Sequence, residues 1–295
     1  MNDPSSDRPT GRIVVGVDGS PSSELALRWA AEQSRLTGEV VEAVTSWDFP
    51  SPYDRSTTGT FEEQGEEVAG ALAKTVENVL GAVEAARVLQ RVTPGRPAQV
   101  LIDASRDADL VVVGPHGHGG FLGLPLGSVS QHLLPHATCP VVVVRGQHGS
   151  TGRIVVGVDG SPEGQAALGW AARQAARAGA ELHTVMAWDD PLRYGYAVEP
   201  GPDGATRTLQ HLATSVRAEL GDTAGTLPVV QEVDTGHPAH VLLRAAQEAD
   251  MLVVGSRGRG AFTGLLLGSV SRHVAAHAPC TVAVHHGHAD LDQAS

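Results

Sequence analysis

The chain has 295 residues, and its 21 Lys and Arg against 33 Asp and Glu leave a formal charge of −12. With no Lys/Arg block to offset that balance, the charge argues against a nucleic-acid-binding surface. Lys74 is the only lysine and no Gly-Lys pair exists, so the P-loop and protein-kinase ways of holding ATP are excluded.

After a polar tail at 1–10, the first half alternates strands near 12–18, 39–46, 87–92, 109–114 and 140–145 with helices near 22–37, 62–85, 97–107 and 128–137. Residues 11–21, GRIVVGVDGSP, then recur unchanged at 152–162. The same offset carries Trp29 to Trp170, Trp47 to Trp188, Gly95 to Gly236 and Cys139 to Cys280. So long a period is a duplicated domain rather than a solenoid unit. The expected division is domain 1 at 11–145, a Gly/Ser linker at 146–151, domain 2 at 152–285 and a tail at 286–295. Short Val/Ile-rich runs alternating with helices predict a fold of two tandem doubly wound α/β domains. Each is a five-stranded parallel sheet with helices on both faces, Rossmann-like.

Asp18 and Asp159 end the first strands. The Asp-Gly-Ser-Pro that follows also reads as a helix start, with Ser20 or Ser161 as N-cap and Pro21 or Pro162 next. The fourth strands, Asp109–Val113 and Asp250–Val254, run into glycine loops of one spacing: Gly114-x2-Gly117-x9-Gly127-Ser128, and Gly255-x2-Gly258-x9-Gly268-Ser269. Glycines there admit close backbone approach, and Gly-Ser opens a helix whose N-terminus favours phosphate. Each loop is therefore read as a phosphate cradle. Ligands in such sheets bind beyond the C-terminal strand ends, where strand order reverses. If strands one and four are neighbours, the Asp and the loop share one crevice.

The two loops differ. The second places Arg257 and Arg259 beside the expected phosphates, and arginine grips phosphate bidentately. The first has Pro115, which lacks an N–H, and His116 and His118, which are mostly neutral at pH 7. Weaker or more pH-sensitive triphosphate binding is expected in domain 1. No metal site is expected at these histidines, and His285, His286 and His288 read as a solvated tail. Cys139 and Cys280 are expected to be packing residues, as are Trp29 and Trp170. Trp47 and Trp188 close strand two, near the presumed base. The Pro/Gly/Tyr-rich segments 48–60 and 189–204 read as surface loops.

VGVDGSP twice, the glycine loop twice, and the closing HATCPVVVV (136–144) and HAPCTVAV (277–284) together resemble the universal stress protein family in its tandem, ATP-binding form. The resemblance covers nearly all of the chain outside the tails and linker. It implies an adenine nucleotide alpha-hydrolase-like fold holding ATP, with Mg2+, in each domain. Asp18 and Asp159 would contact the adenosine end, and Thr45 and Ala187 would flank adenine. Val113-Gly114 and Val254-Gly255 would lie by the ribose. Gly117, Gly127 and Ser128, with Gly258, Gly268 and Ser269, would hold phosphates, and Val129 and Val270 would add helix amides. It also implies pairing of domains through the final strands, within the chain and in a possible homodimer. The function expected is a nucleotide-dependent regulatory factor in a stress or dormancy response, binding up to two ATP per chain. At most slow ATPase activity and no catalytic residue are expected. Two alternatives stay open: a scaffold whose nucleotide is structural, and an adenylate-forming or pyrophosphatase-type enzyme. The polar MNDPSSDRPTG start has no signal-peptide core, no apolar run reaches the length of a membrane span, and two cysteines suggest no disulfide framework. No membrane partner is expected, and the compartment expected is the cytoplasm.

Overall fold

Ile13, Val14 and Val15 are three consecutive residues with no exposed surface, so both faces of the strand that carries them are covered. That strand lies in a computed structural model describing residues 11–47, 60–118, 125–146, 151–188, 203–221, 227–259 and 265–287. The chain divides between Val144 and Arg145 into two compact units. Unit 1 runs β1 (Arg12–Gly16), α1 (Pro21–Thr37), β2 (Val40–Trp47), α2 (Phe61–Leu80), α3 (Ala82–Ala85) and β3 (Leu89–Pro94). It continues with α4 (Pro97–Ala104), β4 (Leu110–Val113), α5 (Ser128–His136) and β5 (Val141–Val143). Unit 2 runs β6 (Arg153–Gly157), α6 (Pro162–Ala178), β7 (Glu181–Trp188), α7 (Asp203–Leu220) and β8 (Val229–Thr235). It closes with α8 (Pro238–Ala245), β9 (Met251–Gly255), α9 (Ser269–His277) and β10 (Thr281–His285).

Every strand pair within a unit is parallel. The order is β3-β2-β1-β4-β5 in unit 1 and β8-β7-β6-β9-β10 in unit 2. Strands one and four are thus neighbours, with Val14 beside Val111 and Val155 beside Leu252. Strand order reverses between them, which is where such a sheet opens a crevice at its C-terminal edge. In unit 1, α1 packs along α2 and α4 along α5, two helix pairs that sandwich the sheet.

The elements follow the expected order, with three local differences. The single helix expected over 62–85 breaks at Gly81, whose φ of 80° and ψ of 158° leave the helical region and suit glycine alone. The helix expected over 97–107 tightens into a 3-10 turn at Ser105–Asp107. Strands four and five of unit 1 stop short of their counterparts in unit 2. In unit 2 the Ser256 N–H donates to the His285 carbonyl at 2.8 Å and lengthens the ladder, so His285, expected in a solvated tail, instead closes β10 and is only 6% exposed; Pro115, at the same place in unit 1, has no N–H to give.

Trp29 and Trp170 are 7% and 9% exposed and belong to the cores as expected. Cys139 and Cys280 are buried free thiols. Burial pushes them up to about 12 and about 11, which keeps them from forming reactive thiolates. One buried polar group had no sequence signal. Glu42, 6% exposed in β2, sits 3.0 Å from Arg12 Nη1 and 2.7 Å from Arg91 Nε. Unit 2 has His183 at that position, paired with Glu181 at 2.6 Å. Nearly all of segments 48–60 and 189–204, four residues of the expected linker, the first ten residues and His288 lie outside the described residues. No described helix is long and apolar enough to cross a membrane.

The first helix of each unit begins as its sequence predicts. Ser20 and Ser161 adopt extended N-cap geometry, and their hydroxyls accept from Ser23 N at 3.2 Å and Gly164 N at 3.0 Å. Replacing either serine, for example Ser161→Ala, is expected to cost about 1 kcal/mol. The measurement is a lowered urea midpoint for the unit concerned, with the other unit's transition unmoved.

Candidate functional site

Among the described residues, each unit has a crevice at the C-terminal edge of its sheet, between strands one and four. It encloses about 380 Å³ in unit 1 and about 520 Å³ in unit 2. The crevice floor is set by the end of the first strand. A Cβ on Gly16 would meet Leu101 Cδ1 at 3.0 Å, and one on Gly157 would meet Leu242 Cδ1 at 2.8 Å. These two glycines, with Leu101 and Leu242, line the crevices and were missed in the sequence. The signal available was a glycine interrupting each Val-rich first strand, which marks close approach of another group.

Asp18 ties the strand-one turn to the glycine loop. Its Oδ1 accepts from the Ser20 N–H at 3.0 Å and the Ser20 hydroxyl at 2.6 Å, while Oδ2 accepts from the His118 N–H at 2.8 Å. Asp159 repeats the arrangement, with Ser161 N at 2.9 Å, Ser161 Oγ at 2.5 Å and Arg259 N at 2.9 Å. Burial alone would push the Asp18 carboxyl up. The hydrogen bonds from Ser20, His118 and Ser23 outweigh burial and hold it below the usual carboxylate value. These carboxylates are therefore structural clasps: Oδ1 of each already accepts two bonds, and Oδ2, which accepts one, keeps capacity for a further bond.

The glycines of the loop do separate tasks. Gly114 and Gly255 let the loop touch the first helix: a Cβ on either would lie 2.7 Å from Ser22 or Glu163 atoms. Gly117 and Gly258 make room for the clasp, since a Cβ on Gly258 would lie 2.5 Å from Asp159 Oδ2 and one on Gly117 closer still to Asp18 Oδ2. Gly127 and Gly268 close the loop on itself, donating at 2.7 Å to the carbonyls of Pro115 and Ser256. They are also the N-caps of α5 and α9, in extended geometry with no side-chain cap bond. The first-turn amides of those helices, at Ser128-Val129 and Ser269-Val270, border the crevices, and the helix dipole adds partial positive charge there. Ser130 and Ser271 anchor the same turns by donating to the carbonyls of Gly114 at 2.9 Å and Gly255 at 2.6 Å.

The sequence-named residues Asp18, Val113, Gly114, His116, Gly117, Gly127, Ser128 and Val129 all line the unit 1 crevice. Asp159, Ala187, Val254, Gly255, Arg257, Gly258, Arg259, Gly268, Ser269 and Val270 line that of unit 2. Thr45 does not belong with them. Its hydroxyl donates to the Val17 carbonyl at 2.6 Å, and its strand neighbours Val44 and Ser46 face the crevice instead. Side chains alternate along a strand, and the residue matching Ala187 at the repeat offset is Ser46, so Thr45 was one residue out of register. Trp47 and Trp188 are also absent from the crevice walls; Trp47 packs on Phe61, ring centroids 4.6 Å apart. Pro115 costs the sheet a ladder bond, because the matching N–H in unit 2 is spent on His285. The expected loss of a phosphate donor at Pro115 therefore does not hold.

The model of the Universal stress protein family matches the chain twice, at residues 9–145 and 151–286. A universal stress protein of Mycolicibacterium smegmatis is 35% identical over 285 residues, covering 92% of this chain and 96% of that one. Another, of Mycobacterium tuberculosis, is 33% identical over 287 residues, covering 92% and 95%. The crystal structure of a universal stress protein from Archaeoglobus fulgidus shares the fold with a TM-score of 0.68 at 22% identity, over 93% of this chain and 98% of that one. With the family pattern present in both halves and relatives matched nearly end to end, the chain belongs to the universal stress protein family, in tandem form.

Proposed function

We propose that each unit binds one adenine nucleotide in its crevice, up to two per chain, and that occupancy regulates what the protein associates with under stress. The observation that carries this reading is a helix start without a side-chain cap at the head of each crevice, under a loop clasped open by an aspartate. Uncapped first-turn amides are donors in need of an acceptor, and phosphate oxygens are the group that suits them. The phosphates would lie along Gly117, Gly127, Ser128 and Val129 in unit 1, and along Gly258, Gly268, Ser269 and Val270 in unit 2. The ribose would lie by Val113-Gly114 and Val254-Gly255. The base would reach toward Val44 and Ser46, or Val185 and Ala187, with Asp18 and Asp159 at the adenosine end. ATP is the nucleotide we favour.

No group of three His, Cys, Asp or Glu among the described residues is arranged to hold a metal ion. Mg2+ in this proposal arrives on the phosphates and neutralises their charge. The crevice aspartates already accept the bonds of the clasp, which leaves them poorly placed to activate water. Phosphoryl transfer depends on positioning and charge neutralisation, so we expect binding with at most slow hydrolysis.

The first test is denaturing release and chromatographic identification of nucleotide from freshly purified protein, repeated after loading with Mg-ATP. Up to two adenine nucleotides per chain are expected; no nucleotide before or after loading would remove the proposal. Gly258→Ala, which drives a methyl group into Asp159, is expected to weaken nucleotide binding in unit 2 by about ten-fold or more, the equivalent of one charge-assisted hydrogen bond. Calorimetric titration should show unit 1 binding unchanged. The Asp18 clasp carries a further expectation. Because its folded value is depressed, its stabilisation is complete above the unfolded carboxylate value and is lost only as pH falls through the lower folded value. Binding in unit 1 between pH 6 and 8 should therefore be the same in slope for wild type and Asp18→Asn, even though the variant binds more weakly; differing slopes would show the clasp titrating there.

A further inference from the structure

The two crevices share their glycines but not their charges. Where His116 and His118 line unit 1, Arg257 and Arg259 line unit 2, joined by Arg272. Arg272 stands at the repeat position of Gln131, whose amide in unit 1 is turned onto the Leu126 carbonyl at 2.7 Å. Of the three arginines, Arg257 is held from outside the loop. Its Nη2 lies 2.6 Å from Glu163 Oε1, the arginine side chain being 52% exposed and the glutamate side chain 14%.

Glu163 is itself fixed. It is the second residue of α6, inside the helix's first turn, where a carboxylate is favoured by the helix dipole. Gly255 packs directly on its backbone, and a Cβ at Gly287 would lie 3.4 Å from its Cγ, so the side chain runs in a slot between the two. At the same place unit 1 has Ser22, which cannot form an ion pair with anything in the loop.

Building on the reading that each crevice takes a nucleotide, we propose that Glu163 is a positioning residue that presets Arg257 for the phosphates. In this way unit 2 selects the nucleoside triphosphate, whereas unit 1, with Ser22 and His116, distinguishes little between triphosphate and monophosphate. A guanidinium has five N–H donors in a rigid fork. The contact through Nη2 spends part of that fork and leaves the rest for a ligand. An unheld arginine on this exposed rim would lose rotamer freedom on gripping phosphate, and fixing it beforehand removes that cost from binding.

The test is calorimetric titration of the full chain with Mg-ATP and with AMP, for wild type, Glu163→Gln, Arg257→Gln, the double variant, and Ser22→Glu combined with His116→Arg. Circular dichroism would confirm that each is folded. Glu163→Gln should weaken ATP binding at one of two sites by about ten-fold, the scale of one charge-assisted hydrogen bond, while AMP binding is unchanged. The double variant should be no weaker than Arg257→Gln alone, because both changes remove one arrangement. The unit 1 pair should gain ATP affinity without gaining AMP affinity, which tests the idea independently of any damage in unit 2. Tighter ATP binding in Glu163→Gln would show the carboxylate competing with phosphate, and would overturn the proposal. So would equal loss of ATP and AMP, or additive losses in the double variant. Wild-type protein that takes up neither nucleotide would remove the nucleotide reading as well; wild type that binds ATP while Glu163→Gln behaves identically would remove the positioning role alone.

Discussion

The geometry of both crevices depends on one carboxylate in each. Asp18 and Asp159 accept hydrogen bonds from the helix-start serine on one side and from a loop amide a hundred residues away on the other. Without that clasp, the strand-one turn and the glycine loop would be two separate exposed loops, free to move apart. With it, the loop is pinned across the switch point of the sheet, and the uncapped helix behind it faces a defined volume. The glycine spacing follows from the clasp. Gly117 and Gly258 are small because the carboxylate occupies the space a side chain would need.

Charge-assisted bonds of this kind are strong because the acceptor is ionised and partly shielded from water. Using the aspartate this way has a chemical consequence: a carboxylate committed to backbone amides is a poor general base. On the proposed nucleotide reading, a crevice built on it would grip more readily than it reacts. The same organisation appears twice, but the side chains that finish it do not. One copy ends in arginines with a carboxylate behind them, the other in histidines, a serine and a glutamine.

Much of this was legible in the sequence because the chain repeats itself in register. An Asp ending a Val-rich strand, a spaced set of glycines and a Gly-Ser helix start are each weak signals alone. Found twice at one offset they fixed the fold class, the crevice and most of its walls. What remained hidden depended on which way side chains face and where backbone amides go. Thr45 and Ser46 are adjacent and similar in polarity, and only the pleat decides which faces the crevice. Pro115 read as a lost ligand donor because nothing in the sequence shows that its counterpart's amide belongs to the sheet. Gly114, read as lying by the ribose, also has a packing reason that the sequence hides: a Cβ there would strike the first turn of α1. Glu163 gave no signal, since its partner lies 94 positions on, at Arg257, and an acidic residue at a helix start is common for the helix's own sake.

Tandem copies of one domain face a hazard that single domains escape: during folding, a strand can pair with the equivalent strand of the other copy. Here the first strands offer no protection, because β1 and β6 are identical from Arg12 to Gly16 and from Arg153 to Gly157. The second strands do. In unit 1, β2 brings Glu42 between Arg12 and Arg91. A β7 placed there by mistake would set His183 between two arginines and leave both without their carboxylate. In the reverse exchange Glu42 would meet Arg153, the counterpart of Arg12, on one side and Glu232, the counterpart of Arg91, on the other. Burying unmatched charge is expensive. The triad at Glu42 is thus a place where two closely repeated sequences differ in the charge they bring to the sheet, so that an exchange of second strands would leave charges mismatched in both copies.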